Sequence, residues 1–208
     1  MDLKKSHEFV LKNAPQQSRG RRTIQAILTA TADLLNEVGF EQLSTNLICK
    51  KANLTPPALY HYFHDKYDVV RALGDTLFQE ILDELVAWNE RTPPNATAED
   101  LQSLLSMMAG QIRQFPAGPA ILRSLQASPQ LAEMRQEAVA ALSEVLSQRI
   151  THYHPEADVE DVRLRMRLAV VSGFATLDLV FQDCSIDAQD AFRYAAETFE
   201  THLNSLYA

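Results

Sequence analysis

Between Ser44 and Lys66 the chain has room for one arrangement, two short helices joined by a tight turn. Ser44 can cap the first, its hydroxyl accepting an amide proton, while Leu47, Ile48 and Ala52 turn inward. Asn53 falls where the chain must reverse, and Asn tolerates the left-handed conformation better than any residue but Gly. Leu54 follows as a plug between the two helices. Thr55 supplies a second cap, and Pro56 stands at the first helical position, where its missing N–H costs nothing and its fixed φ favours the helix. Pro57 shares that first turn. Leu59 and Phe63, four residues apart, share one buried face, and Tyr60, His61 and Tyr62 project elsewhere. The layout is that of a helix-turn-helix whose second helix is the reader.

The run Leu59-Tyr60-His61-Tyr62-Phe63-His64-Asp65-Lys66, with the capped turn before it and an earlier helix ending in Val38-Gly39-Phe40, resembles the DNA-binding domain of the TetR family of bacterial transcriptional regulators. The resemblance covers residues 20 to 70 or so. Asn53 replaces the usual Gly of the turn, and Pro57 stands where relatives often carry Gly or Ala. The resemblance implies a dimer whose last two helices form a four-helix interface, and a ligand pocket in the half after the reader.

Few glycines, abundant Leu and Ala and no sustained alternating pattern point to an all-α protein, and 46% hydrophobic residues is ample for a packed core. Cys49 and Cys184 lie too far apart in sequence to suggest a disulfide framework and read as two buried thiols. No apolar run reaches the ~18 residues of a membrane span, and the first residues lack an apolar signal core, so a cytoplasmic location is expected. The net charge of -8 divides unevenly: +3 up to Arg71, from ten Lys or Arg against seven Asp or Glu, and -11 after it, from nine against twenty. All six lysines lie at or before Lys66. Phosphate affinity comes from local cations, so the acidic remainder does not exclude DNA binding.

Residues 1–18 show no periodicity and read as an arm, either disordered or reaching the minor groove. Residues 19–65 make a three-helix helix-turn-helix domain, and residues 66–208 a larger helical domain for effector binding and dimerisation. The first helix runs from Arg19 to Val38, ended by Gly39. Asp65 caps a long helix to about Trp88, and Thr97 caps another to about Phe115. A short helix spans about 120–126, Ser128 caps one reaching about Tyr153, and two more cover 158–181 and 186 onward.

A recognition helix enters the major groove N-terminus first, so Thr55, Pro56, Pro57, Ala58 and His61 are the candidates for base edges. The prolines and Ala58 suit thymine methyls, and His61 can donate to guanine or phosphate. Arg22, Ser44, Thr45, Tyr60, Tyr62 and Lys66 are candidates for phosphate, with half-buried packing the alternative for the two tyrosines and a solvated helix start the alternative for Lys66.

The second half has no catalytic constellation. His152 and His154 flank Tyr153 near Glu156 and Asp158 but lack a regular ligand framework, so no metal and no cofactor are expected. Trp88, Met107, Met108, Ile112, Phe115, Leu122, Met134 and Phe174 are apolar candidates for the pocket the resemblance implies, with Gln111 and Arg123 as polar anchors, and ordinary core is the competing reading for each. Ala169, Gly173, Thr176, Val180, Phe192, Ala195 and Phe199 are the dimer candidates. The expected protein is a homodimeric regulator of a palindromic operator, released by a small, mainly apolar effector, with no enzymatic activity and no membrane partner. A helical interaction adaptor and a small-molecule enzyme using the pocket are the alternatives.

Overall fold

The computed structural model describes residues 18–93 and 95–204. The amino-terminal arm lies outside the described residues, apart from Ser18, which opens the first helix. Among the described residues there are ten helices and no strand. They are α1 (Ser18–Glu37), α2 (Gly39–Gln42), α3 (Thr45–Ala52), α4 (Pro56–Tyr60), α5 (Lys66–Arg91), α6 (Ala98–Gln114), α7 (Gly118–Ala127), α8 (Pro129–Tyr153), α9 (Val159–Gln182) and α10 (Ala188–Asn204).

The helix ends follow from short side chains at the expected positions. Ser44 Oγ accepts the amide of Leu47 at 3.3 Å, and Asp65 Oδ1 accepts those of Tyr67 and Asp68 at 2.8 and 3.0 Å. Thr97 and Asp100 form a reciprocal box at the start of α6: Thr97 N donates to Asp100 Oδ2 at 2.9 Å, and Asp100 N donates to Thr97 Oγ1 at 3.3 Å. Asp158 and Asp187 open α9 and α10 in the same way. Thr55 is the exception, occupying the cap of α4 without a side-chain cap bond. Pro57 removes one of the two amides such a bond would use, and the other, Ala58 N, goes to Thr55 O at 2.9 Å.

Asn53 holds φ 53 and ψ 47, the left-handed turn the sequence calls for. That conformation costs an L-residue with an ordinary side chain about 1–2 kcal/mol, less for Asn and nothing for Gly. Asn53→Ala is therefore expected to lower stability by about 1 kcal/mol and Asn53→Gly to hold or raise it, as read from urea melts.

By internal contacts the chain divides into two units. The first comprises the residues up to Phe78 together with Arg113–Met134, and the second comprises Gln79–Ile112 and the residues from Arg135 on. The change of partner thus falls inside α5 between Phe78 and Gln79, while the start of α5 and all of α7 pack with the helix-turn-helix.

In the first unit Ile27, Ile48, Leu59, Phe63, Val69, Val70, Leu77 and Ile121 are fully buried. Leu47, expected inward, is exposed, and Cys49 takes the inward position beside Ile48. Gly74 of α5 leaves room for the end of the Met134 side chain: a Cβ there would lie 2.4 Å from Met134 Cε and 3.6 Å from Ile121 Cγ2.

In the second unit a part-buried Arg135–Asp178 pair at 2.7 Å joins α8 to α9. Arg149 of α8, only 8% exposed, donates to the carbonyls of Asn89 at 2.5 Å, Thr92 at 2.9 Å and Pro93. It satisfies the carbonyls that the end of α5 leaves without intrahelical partners.

Candidate nucleic-acid interface and ligand cavity

The reader is a five-residue helix held from behind. Leu59 and Phe63 are 0% exposed, and Phe63 N donates to Leu59 O at 3.0 Å, so the helical path continues one turn past α4. On that frame Thr55, Pro56, Pro57, Tyr60 and His61 are exposed, and Ala58 and Tyr62 are half-buried. Because both prolines lack N–H and the Ala58 amide is taken, the start of this helix presents methyl and methylene surface. Tyr60 is 44% exposed, and its hydroxyl shares a 3.0 Å hydrogen bond with Thr45 Oγ1, tying the last residue of α4 to the first of α3. Tyr62 packs edge-on to His61, ring centroids 4.7 Å apart.

Lys66 is neither loose nor fully solvated. Its ammonium donates to Phe40 O at 3.0 Å and lies 4.4 Å from the centre of the Phe40 ring, pinning the α2 turn to the start of α5. Arg22 is exposed on α1, and Ser44 and Thr45 are half-buried at the start of α3. Lys50, exposed in the last turn of α3, is a cation the sequence reading passes over, because lysine at a helix C-terminus is already explained by the helix dipole. Its neighbour Lys51 pairs with Glu37.

Within the second unit α5, α6, α8, α9 and α10 line a partly open cavity of about 150 Å³. Its wall is mostly aliphatic and aromatic, with Leu85, Trp88, Met108, Leu142, Phe174 and Leu177 among the lining residues. Polar groups come from Asn95, Arg149, Arg165, Ser172, Thr198 and His202.

Residues 27–73 match the family described as bacterial regulatory proteins, tetR family. The chain belongs to the TetR family. The transcriptional regulator UidR of Escherichia coli K12 is 24% identical to it over 183 residues, covering 86% of this chain and 89% of UidR. In fold this TetR-family chain is similar to a TetR-family regulator from Syntrophomonas wolfei, with TM-score 0.71 and 17% identity over 90% of this chain and 97% of that one. It is also similar to FadR of Thermus thermophilus, a TetR-family repressor solved in complex with lauroyl-CoA, with TM-score 0.63 and 16% identity over 85% and 92%. The protein is therefore a TetR-family transcriptional regulator, an all-α chain with an N-terminal helix-turn-helix domain and a larger helical part after it.

Of the candidate effector residues in this TetR-family chain, Trp88, Met108 and Phe174 line the cavity. The other seven are not among its walls. Leu122 and Met134 are buried in the first unit, Phe115 is half-buried and also belongs there, and Arg123 is exposed on α7. Met107 and Gln111 are half-buried on α6, and Ile112 is fully buried. The charged groups that do reach the cavity, Arg149 and Arg165, come from α8 and α9 and are not among the sequence candidates.

Among the candidate dimer residues, Gly173, Val180 and Phe192 are buried inside the chain, and Ala169, Thr176, Ala195 and Phe199 are half-buried. The exposed apolar stripe of α9 consists of Leu164, Leu168, Val171, Ala175 and Leu179. Cys49 is buried as expected, and burial pushes its thiol pKa up. Cys184, expected buried, is exposed, because it falls in the turn between α9 and α10. Among the described residues no helix is long and apolar enough to cross a membrane.

Proposed function

We propose that this chain is a ligand-responsive repressor that binds a palindromic operator as a homodimer, and that a small, mainly apolar effector releases it. The observation that carries the reading is the reader itself, a short helix with exposed Thr55, Pro56, Pro57 and His61 on a fully buried Leu59–Phe63 frame. Those residues and Ala58 face base edges. Arg22, Ser44, Thr45, Tyr60, Tyr62 and Lys66 set the register on phosphates, with Lys66 held in place by Phe40. Reading belongs to residues 19–65, and sensing and pairing to residues 66–208. The protein acts in the cytoplasm as a regulator and not as a catalyst.

Two observations support the rest. The exposed stripe of α9 is long enough to pair with its copy about a two-fold axis. The lauroyl-CoA held by the Thermus relative carries a long apolar acyl chain, in keeping with the largely apolar cavity here.

A dimer must place its two recognition helices about 34–36 Å apart, or a multiple, to enter successive major grooves. An effector that prefers the wrongly spaced state needs only ~1–3 kcal/mol of coupling to weaken operator binding 5- to 150-fold.

The test is selection from a pool of random duplexes at two salt concentrations. Enrichment of a palindrome, with affinity that falls as salt rises, is the expected result. A folded protein that enriches no sequence with or without candidate effectors sinks the operator reading. Coupling is reciprocal, so operator DNA is expected to weaken effector binding by the same factor that effector weakens operator binding.

A further inference from the structure

We infer that the cavity of the second unit takes a small anionic amphiphile, a ring-sized apolar body carrying a carboxylate or phosphate headgroup that Arg165 attracts. The inference rests on the reading of this cavity as the effector site and adds the chemical class. Three observations point to it.

The first is size. About 150 Å³ lined by aliphatic and aromatic side chains is the space a benzene-sized body fills.

The second is charge. The chain carries twenty acidic residues against nine arginines after Arg71, yet none of the described residues lining the cavity is Asp or Glu, and two are Arg. A wall with only positive formal charges, in a domain of net -11, favours anions over cations and neutral molecules.

The third is rigidity. Arg149 is fixed by the carbonyls at the end of α5 and lies 5.4 Å from the centre of the Trp88 ring. Arg165 Nε donates to Asp161 Oδ2 at 2.8 Å, and its Nη1 donates to His202 O at 3.1 Å at the end of α10. A guanidinium already held in place loses little side-chain freedom when an anion arrives. Asp161 offsets part of the Arg165 charge, but its side chain is 45% exposed, and solvent screens an exposed pair strongly. An anion inside the cavity meets the same guanidinium in a poorer solvent, where the attraction is larger.

The apolar body would lie against Trp88 and Phe174. Trp88 is the only tryptophan in the chain and lines the cavity, so its emission reports occupancy without reference to DNA.

The experiment titrates the full-length protein with benzoate, phenyl phosphate and the neutral isostere benzamide, following Trp88 emission. At least one of the two anions is expected to bind ten-fold or more tightly than benzamide, and which one does so separates a carboxylate ligand from a phosphate ligand. Arg165→Gln is expected to bring the ratio close to one and Arg165→Lys to keep most of it, with thermal melts confirming that both variants fold. Equal affinity for benzamide, a preference that survives Arg165→Gln, or no saturable change with any probe overturns the inference. If an anion binds with the expected preference but leaves operator affinity unchanged, the ligand class stands and the regulatory reading of the cavity fails.

Discussion

Phe63→Ala is expected to cost the first unit about 3–5 kcal/mol and to abolish operator binding. The ring is 0% exposed, and with Leu59 it forms the inner face against which α4 is held. Removing it leaves a cavity the size of a phenyl ring behind a helix of only five residues, too short to keep its shape without tertiary support. Denaturant melts measure the loss.

The paired variant separates frame from contact. Tyr60→Phe keeps the ring and deletes only the hydroxyl shared with Thr45, on a side chain that is 44% exposed. Its stability is expected to change by less than ~1 kcal/mol, while affinity falls similarly for all DNA sequences, as loss of a phosphate-positioning group requires. Unchanged affinity in Tyr60→Phe would remove that hydroxyl from the interface.

Val171→Glu is expected to convert the dimer to a monomer and to weaken operator binding by about two to four orders of magnitude. Val171 is 46% exposed in the middle of the α9 stripe, flanked by Leu168 at 54% and Leu164 at 59% and followed by Leu179 at 49%. A two-fold interface presents the same patch from both copies, so one substitution buries two carboxylates near each other in an apolar contact. The loss of DNA affinity follows because a dimer engages its second half-site at high effective concentration and a monomer does not. Sedimentation reads the oligomeric state, and a variant that remains dimeric moves the pairing surface elsewhere. Val171 is not among the cavity-lining residues, so probe binding at Trp88 in the variant shows that the second unit is intact.

The parts of this protein legible in its sequence are those governed by local chemistry. The caps at Ser44, Asp65 and Thr97 each rest on one side chain and the next few amides, so spacing alone locates them. The left-handed Asn53 belongs to the same class.

What the sequence hides is which of two apolar faces turns inward. α9 carries apolar residues on two faces, with Phe174, Leu177 and Val180 on one side and Leu164, Leu168, Val171 and Leu179 on the other. Small residues such as Gly173 read as a site of close helix approach, and the helix that approaches is α6 of the same chain, with Leu105 Cδ2 3.6 Å from where a Cβ would be. Likewise the periodicity of α5 runs unbroken through Phe78 and Gln79, so no composition shift marks where one unit's packing gives way to the other's. The cavity arginines were hidden for a third reason: a cation on a helix reads as solvated until the carbonyls it holds are seen.

The confinement of lysine to the first 66 residues gives the protein an unusual chemical polarity. Reagents that consume side-chain amines act at or before the first residue of α5 and leave every side chain after it untouched. Their rates there should differ, because Lys50 is open to solvent, Lys51 is held more strongly protonated by its hydrogen bond to Glu37, and Lys66 has its ammonium engaged by Phe40. Acetylation, natural or experimental, can therefore strip positive charge from the amino-terminal third of this regulator without changing a single charged side chain around its cavity.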